Sequence, residues 1–193
     1  MVAASAALRA LAVALMKIAN VPRWLGSGLR ARLHELVLPS NEPGSSIMPG
    51  KVNPTQEEAM VMVCIQVIGE DLAVAFARSQ GNFELNAMRP IIMSHVLHIS
   101  RILGDACSKF REFGIEGTSL DRSRIDKYAD ESLMLITALS PTIGYDKASA
   151  IAHRALDENL TLREAALKGA SSTLKSSTVS STQKRWLDIP SSM

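Results

Sequence analysis

The run Ala59–Ile68 constrains this chain most. Read as a helix, it is apolar on nearly every side, with Gln66 the one exception. Such a helix belongs in the middle of a bundle rather than on its surface. Its start is well marked: Asn53 is a good N-cap, Pro54 suits the first helical position and Gln56 completes a variant capping box. Gly81 and Asn82 end it. Two further bundle helices are predicted. One covers 2–20, where Leu8, Leu11, Leu15 and Ile18 recur at helical spacing and Pro22 discourages continuation. The other runs from Pro90 to about Phe113, with Gly114 as its stop.

Composition agrees with helices packed on helices. The chain has 193 residues, of which 47% are hydrophobic and only 4% aromatic. That length suits one ordinary domain, or a large one plus a small one. A net charge of +2 gives no sign of a nucleic-acid surface. Cys64 and Cys107 lie in apolar helical patterns and read as reduced, buried thiols. No Cys/His cluster has zinc spacing. Residues 2–16 imitate a signal peptide, but Arg9 and Lys17 interrupt them and no cleavage pattern follows. The stretch is also too short and interrupted to span a membrane.

From residue 121 the pattern changes to shorter helices, over roughly 122–139, 145–158 and 161–168. Thr161 and Glu164 form a capping box, and Gly169 stops the last helix. Residues 171–193 begin with a Ser/Thr-rich run and read as a flexible tail. No strong strand is predicted.

The densest chemistry lies in the loop 41–53. From Gly44 it reads Gly-Ser-Ser-Ile-Met-Pro-Gly-Lys-Val-Asn-Pro-Thr-Gln-Glu-Glu. Gly44 and Gly50 allow tight turns and close approach to a ligand. Ser45 and Ser46 offer hydroxyls, Lys51 a positive charge and Asn53 an amide. The loop ends at a helix N-terminus, where free N–H groups favour an anion. A carboxylate or phosphate would fit, although the P-loop pattern of a nucleotide site is absent. The same residues would also serve as a plain Gly/Ser loop entering a capped helix. Physics alone leaves both readings open.

This string resembles the signature of the fumarase/aspartase superfamily, Gly-Ser-Ser-x-Met-x-x-Lys-x-Asn. The continuation Pro49–Gln56 is similar to class II fumarases in particular. So are the runs Leu15–Asn20, Gly81–Asn86, Glu131–Met134 and Ile143–Ala148. The resemblance covers roughly 2–169. It implies an all-α fold, with 1–120 as the C-terminal part of a long-helix central bundle and 121–170 as a small helical C-terminal domain. The implied activity is fumarate hydratase, the reversible hydration of fumarate to (S)-malate in the tricarboxylic acid cycle. No metal or organic cofactor is implied. The implied partners are a small dicarboxylate and further copies of the chain in a homotetramer, with neither nucleic acid nor membrane. The implied compartment is the mitochondrial matrix in a eukaryote and the cytoplasm in a bacterium.

By position, the resemblance makes Ser45 the catalytic base, acting on the carbon beside a carboxylate. Ser46, Lys51, Val52 and Asn53 would hold the substrate. Glu58 would orient a second acid–base residue, a histidine. A serine is a poor base unless its alkoxide is stabilised, here by Lys51 and loop N–H groups. In the resembled family three sequence regions, from three subunits, build each site. This chain carries the third, and the earlier segments would precede Met1. No Thr-His pair occurs in it, so activity of the chain alone is not expected.

Two other readings stand beside the enzyme piece. One is a non-catalytic remnant that docks into a fumarase-like oligomer. The other is an aspartase-type lyase, against which the Pro49–Gln56 run argues. His95 and His98, at i,i+3, imitate a metal pair but read as helix-face residues. His34 and His153 have no evident partners. Glu84 and Asn86 are given structural roles, and Glu57 stands where the family commonly has a small residue.

Overall fold

The computed structural model describes residues 1–28, 32–41 and 52–169. The fold is all-α and divides into two compact units, Met1–Arg122 and Ser123–Met193. The expected flexible tail lies outside the described residues.

The first unit is built on three long helices: α1 (Val2–Leu25), α2 (Thr55–Ser79) and α3 (Arg89–Lys109). Met60, Cys64 and Val67 recur along one stripe of α2 and meet Ala12 and Ala19 of α1 and Ile99 and Leu103 of α3. The small residues on α1 let the helices approach closely. Farther along α2, Val74 and Ala77 pack with Ile92 and Val96. Both cysteines are free, and Cys64 is buried. Burial is the main reason its thiol pKa is raised, with Cys107 adding to the effect.

The boundaries differ from the sequence reading in instructive ways. α1 does not stop at Pro22 but passes through it to Leu25. A proline in the last turn loses one backbone bond, and the burial of its ring offsets part of that loss. Pro54, not Asn53, takes the cap position of α2, and among the described residues no side chain caps that end. The capping box at Gln56 therefore does not form. Gly114 is not a stop either. The chain leaves α3 through a π turn, Phe110–Ile115, with Gly114 buried inside it. A Cβ on Gly114 would lie 2.7 Å from the Phe110 ring and 3.4 Å from Gln56 Cβ. Glycine thus lets the π turn sit against the first turn of α2.

Two short strands, β1 (Leu36–Val37) and β2 (Ser119–Leu120), pair antiparallel, with Leu36 opposite Leu120. Asn41 donates a 2.5 Å hydrogen bond to the Phe113 carbonyl. Together these fasten the segment between α1 and α2 to the end of α3.

α1 and α2 are each long and apolar enough to cross a membrane by length and composition. The shorter extent predicted for the first helix hid this. Each nevertheless spends one face on the other, including a buried Ser5–Asp71 hydrogen bond. Their remaining faces expose Leu11, Val13 and Ile18 on α1 and Met62, Ile65, Leu72 and Phe76 on α2.

The second unit contains α4 (Arg122–Glu131), α5 (Ile136–Ile143), α6 (Tyr145–Asp157) and α7 (Leu162–Gly169). The single helix expected over 122–139 is broken at Ser132, which caps a 3-10 turn, Leu133–Leu135. Gly144, at φ +87°, ends α5 and turns the chain into α6. The Thr161–Glu164 capping box forms in both directions. Glu164 N donates to Thr161 Oγ1 at 3.2 Å, and Thr161 N donates to Glu164 Oε2 at 2.9 Å. Ile151, Ala155, Leu162, Ala165 and Ala166 make the core of this unit.

Candidate functional site: the start of α2

Ser45, Ser46 and Lys51 lie outside the described residues. Val52 and Asn53 lie just before α2, and Glu58 lies in its first turn. An α-helix leaves its first N–H groups without intrahelical partners. Among the described residues no side chain caps α2. The helix dipole therefore presents a partial positive charge where Val52 and Asn53 enter.

Glu58 is held from α1. Arg23 Nη2 lies 3.3 Å from Glu58 Oε1, and Arg23 Nη1 donates to Asn20 Oδ1 at 3.0 Å. Asn20 is itself fixed, its amide donating to the Met16 carbonyl at 3.0 Å. A chain of three contacts thus runs from the α1 backbone to the Glu58 carboxylate. Arg23 was not singled out from the sequence. The available signal was its place one turn beyond Asn20, the end of a fumarase-like run.

Glu57, next to Glu58, turns the other way. It is 2% exposed, and its Oε1 has no hydrogen-bond partner. Burial is the main reason its pKa is raised, and the neighbouring Glu58 charge adds to this. Its own backbone N–H and Arg23 pull the other way without reversing it. The first turn of α2 therefore pairs a buried carboxyl whose pKa is raised with a half-exposed one bound to arginine.

A second cluster lies farther along α2. Glu70 is buried and receives Gln66 Nε2 at 2.8 Å, His95 Nδ1 at 2.9 Å and His98 Nδ1 at 2.6 Å. The helix-face reading of the two histidines missed this shared partner. Gln66, the break in the apolar run, was the only hint. Among the described residues no three His, Cys, Asp or Glu side chains are grouped to hold a metal.

Two family models match the sequence, "Lyase" over residues 1–69 and "Fumarase C C-terminus" over 135–176. A Fumarate hydratase class II of Methanosarcina acetivorans is 79% identical over 169 residues, covering 88% of this chain and 35% of that protein. A mitochondrial fumarate hydratase of Dictyostelium discoideum is 56% identical over 167 residues, covering 86% and 34%. The crystal structure of recombinant class II fumarase from Schistosoma mansoni superposes with a TM-score of 0.85 at 38% identity, covering 97% of this chain and 39% of that one. The chain thus spans about a third of the length of these relatives. Matched along most of its own length, it belongs to the class II fumarate hydratase family.

Proposed function

We propose that the chain supplies one of the sequence regions of a fumarate hydratase, which interconverts fumarate and (S)-malate. The identity to class II fumarate hydratases is the observation that carries this reading. In malate dehydration, Ser45 takes a proton from the carbon beside a carboxylate. The resulting dianionic aci-carboxylate is held by Lys51, Asn53 and the amides around Val52 and the start of α2. Hydroxide then leaves as water, taking a proton from a histidine that Glu58 orients. The Arg23 contact supports that role for Glu58, because it holds the carboxylate in place.

The substrate is a small dicarboxylate, and the working form is a homo-oligomer, a tetramer by likeness to the family. The compartment follows the host: mitochondrial matrix in a eukaryote, cytoplasm in a bacterium. The division into a bundle portion at 1–120 and a small domain at 121–170 belongs to the same proposal.

The test is fumarate hydration, followed as loss of fumarate absorbance. The purified chain is assayed alone and mixed with a class II fumarase inactivated only at its loop serine. Activity in the mixture, lost with Ser45→Ala, is the expected result. No activity despite demonstrated co-assembly would overturn the proposal and leave a docking remnant.

A further inference from the structure

We propose that Asn41 and Gly114 are positioning residues for the hydration reaction, because one segment, Phe110–Asp121, holds both flanks of the run that carries Ser45 and Lys51. This rests on the role proposed above for that run.

The flank before the run lies along the segment. Asp121 N donates to the Glu35 carbonyl at 2.9 Å. Leu36 then stands opposite Leu120, and Val37 opposite Ser119. Asn41 Nδ2 donates to the Phe113 carbonyl at 2.5 Å. Residues 35–41 thus run antiparallel to 113–121. The flank after the run meets the same segment at Gln56, in the first turn of α2. A Cβ on Gly114 would lie 3.4 Å from Gln56 Cβ and 2.7 Å from Phe110 Cδ2. The aromatic ring and the helix start therefore close on Gly114 together.

The Asn41 bond also completes the π turn. A helix end leaves its last carbonyls without intrahelical donors. Here the Ile115 carbonyl receives Thr118 N and the Gly114 carbonyl receives Thr118 Oγ1, each at 3.1 Å. Both of those donors are local. The Phe113 carbonyl takes its donor from 72 residues away in sequence. The cap of the π turn and the anchor of the run are thus one hydrogen bond. Short π turns inside helices are frequent at functional sites.

The consequence is geometric. Asn41 and Gln56 are held by adjacent residues, Phe113 and Gly114, and Ser45 and Lys51 lie between them in sequence. The two ends of the run are therefore fixed relative to each other by one rigid turn. Functional groups on loops depend on such scaffolds, and they need placement to about half an ångström. Asn41 is itself exposed, so its bond contributes little to folding. Its loss should be read in the reaction rather than in stability.

The test uses the full chain co-assembled with a class II fumarase inactivated only at its loop serine. Asn41→Ala should lower kcat at least tenfold, while the melting temperature changes little. Asn41→Asp keeps the size but not the donor and should lose as much. Gly114→Ala, whose methyl must push aside the Phe110 ring, should lower kcat as well. Amide exchange over 42–51 should be several times faster in Asn41→Ala than in the parent, a readout that needs no activity. An inactive parent mixture would overturn the proposed function, and the anchoring would then stand or fall on exchange alone. With an active parent, parent-level kcat in Asn41→Ala or Asn41→Asp, or unchanged exchange, would overturn the inference. A loss of rate matched by an equal loss of melting temperature would make Asn41 a structural residue only.

Discussion

Ser5 donates a 2.6 Å hydrogen bond to Asp71 Oδ1 across the α1–α2 interface, with both residues buried. Arg9 Nε takes the other carboxylate oxygen at 3.2 Å. The charge is thus both paired and hydrogen-bonded, as a buried carboxylate must be to avoid a large desolvation cost. Ser5→Ala leaves one oxygen without its donor and should cost about 1–3 kcal/mol, read as a lower urea midpoint. Ser108→Ala removes an exposed hydroxyl and should move the midpoint by less than about 0.5 kcal/mol equivalent. Equal shifts in the two variants would mean that the Ser5–Asp71 bond contributes nothing specific.

Glu57 gives a pH dependence of definite sign. Its folded-state pKa is raised, chiefly by burial. The fold therefore favours the protonated form. That stability is fully present below the unfolded pKa and is lost as pH rises through the raised folded value. Glu57→Gln mimics the protonated side chain. The variant should be more stable than the parent near neutral pH, and the advantage should shrink as pH falls towards the ordinary carboxyl range. Urea midpoints across that range are the measurement. Parallel curves for the two proteins would show that Glu57 does not titrate with folding.

Local chemistry was legible in the sequence, and pairing between distant residues was not. The start of α2 was legible to within two residues because Pro54 favours helix entry, although the side-chain cap attributed to Asn53 does not form. The Thr161–Glu164 box depends on residues three apart, and both its bonds are present. Pro22 misled because a local rule discouraged continuation while tertiary burial carried the helix on. The π turn at Gly114 depends on Phe110 and Gln56 packing around it, which no short-range rule encodes. The same holds for Glu70 with His95 and His98, 25 and 28 residues apart. At the candidate site, Asn53 and Glu58 are proposed through a motif. Arg23 lies 35 residues from Glu58, and only the folded α1–α2 pair brings them together.

The exposed apolar faces predict self-association. Leu11, Val13 and Ile18 on α1 and Met62, Ile65, Leu72 and Phe76 on α2 are all more than a third open in the single chain. Apolar side chains this exposed along two long helices mark surfaces of the kind that partners cover. The purified chain should sediment as an oligomer or aggregate. Ile65→Glu with Phe76→Lys should shift it towards monomer without disturbing the Met60–Cys64–Val67 stripe. A monomer at every concentration tested, with the parent residues in place, would refute this.

Arg23→Met separates positioning from stability at the start of α2. The Arg23–Glu58 pair is partly exposed on both sides, and such pairs contribute at most about 1 kcal/mol to folding. The melting temperature should therefore change little. The effect on hydration should be larger, because Glu58 would lose the contact that fixes its carboxylate. In the complementation mixture, Arg23→Met should lower kcat at least tenfold with KM nearly unchanged, since the groups assigned to hold substrate lie in the loop and not at Arg23. Arg23→Lys keeps the charge but not the two-pronged reach to Asn20 and Glu58, and should recover only part of the rate. If Arg23→Met and Arg23→Lys are both as active as the parent, Glu58 is held well enough without α1. An equal loss in melting temperature and rate would make Arg23 a structural residue only.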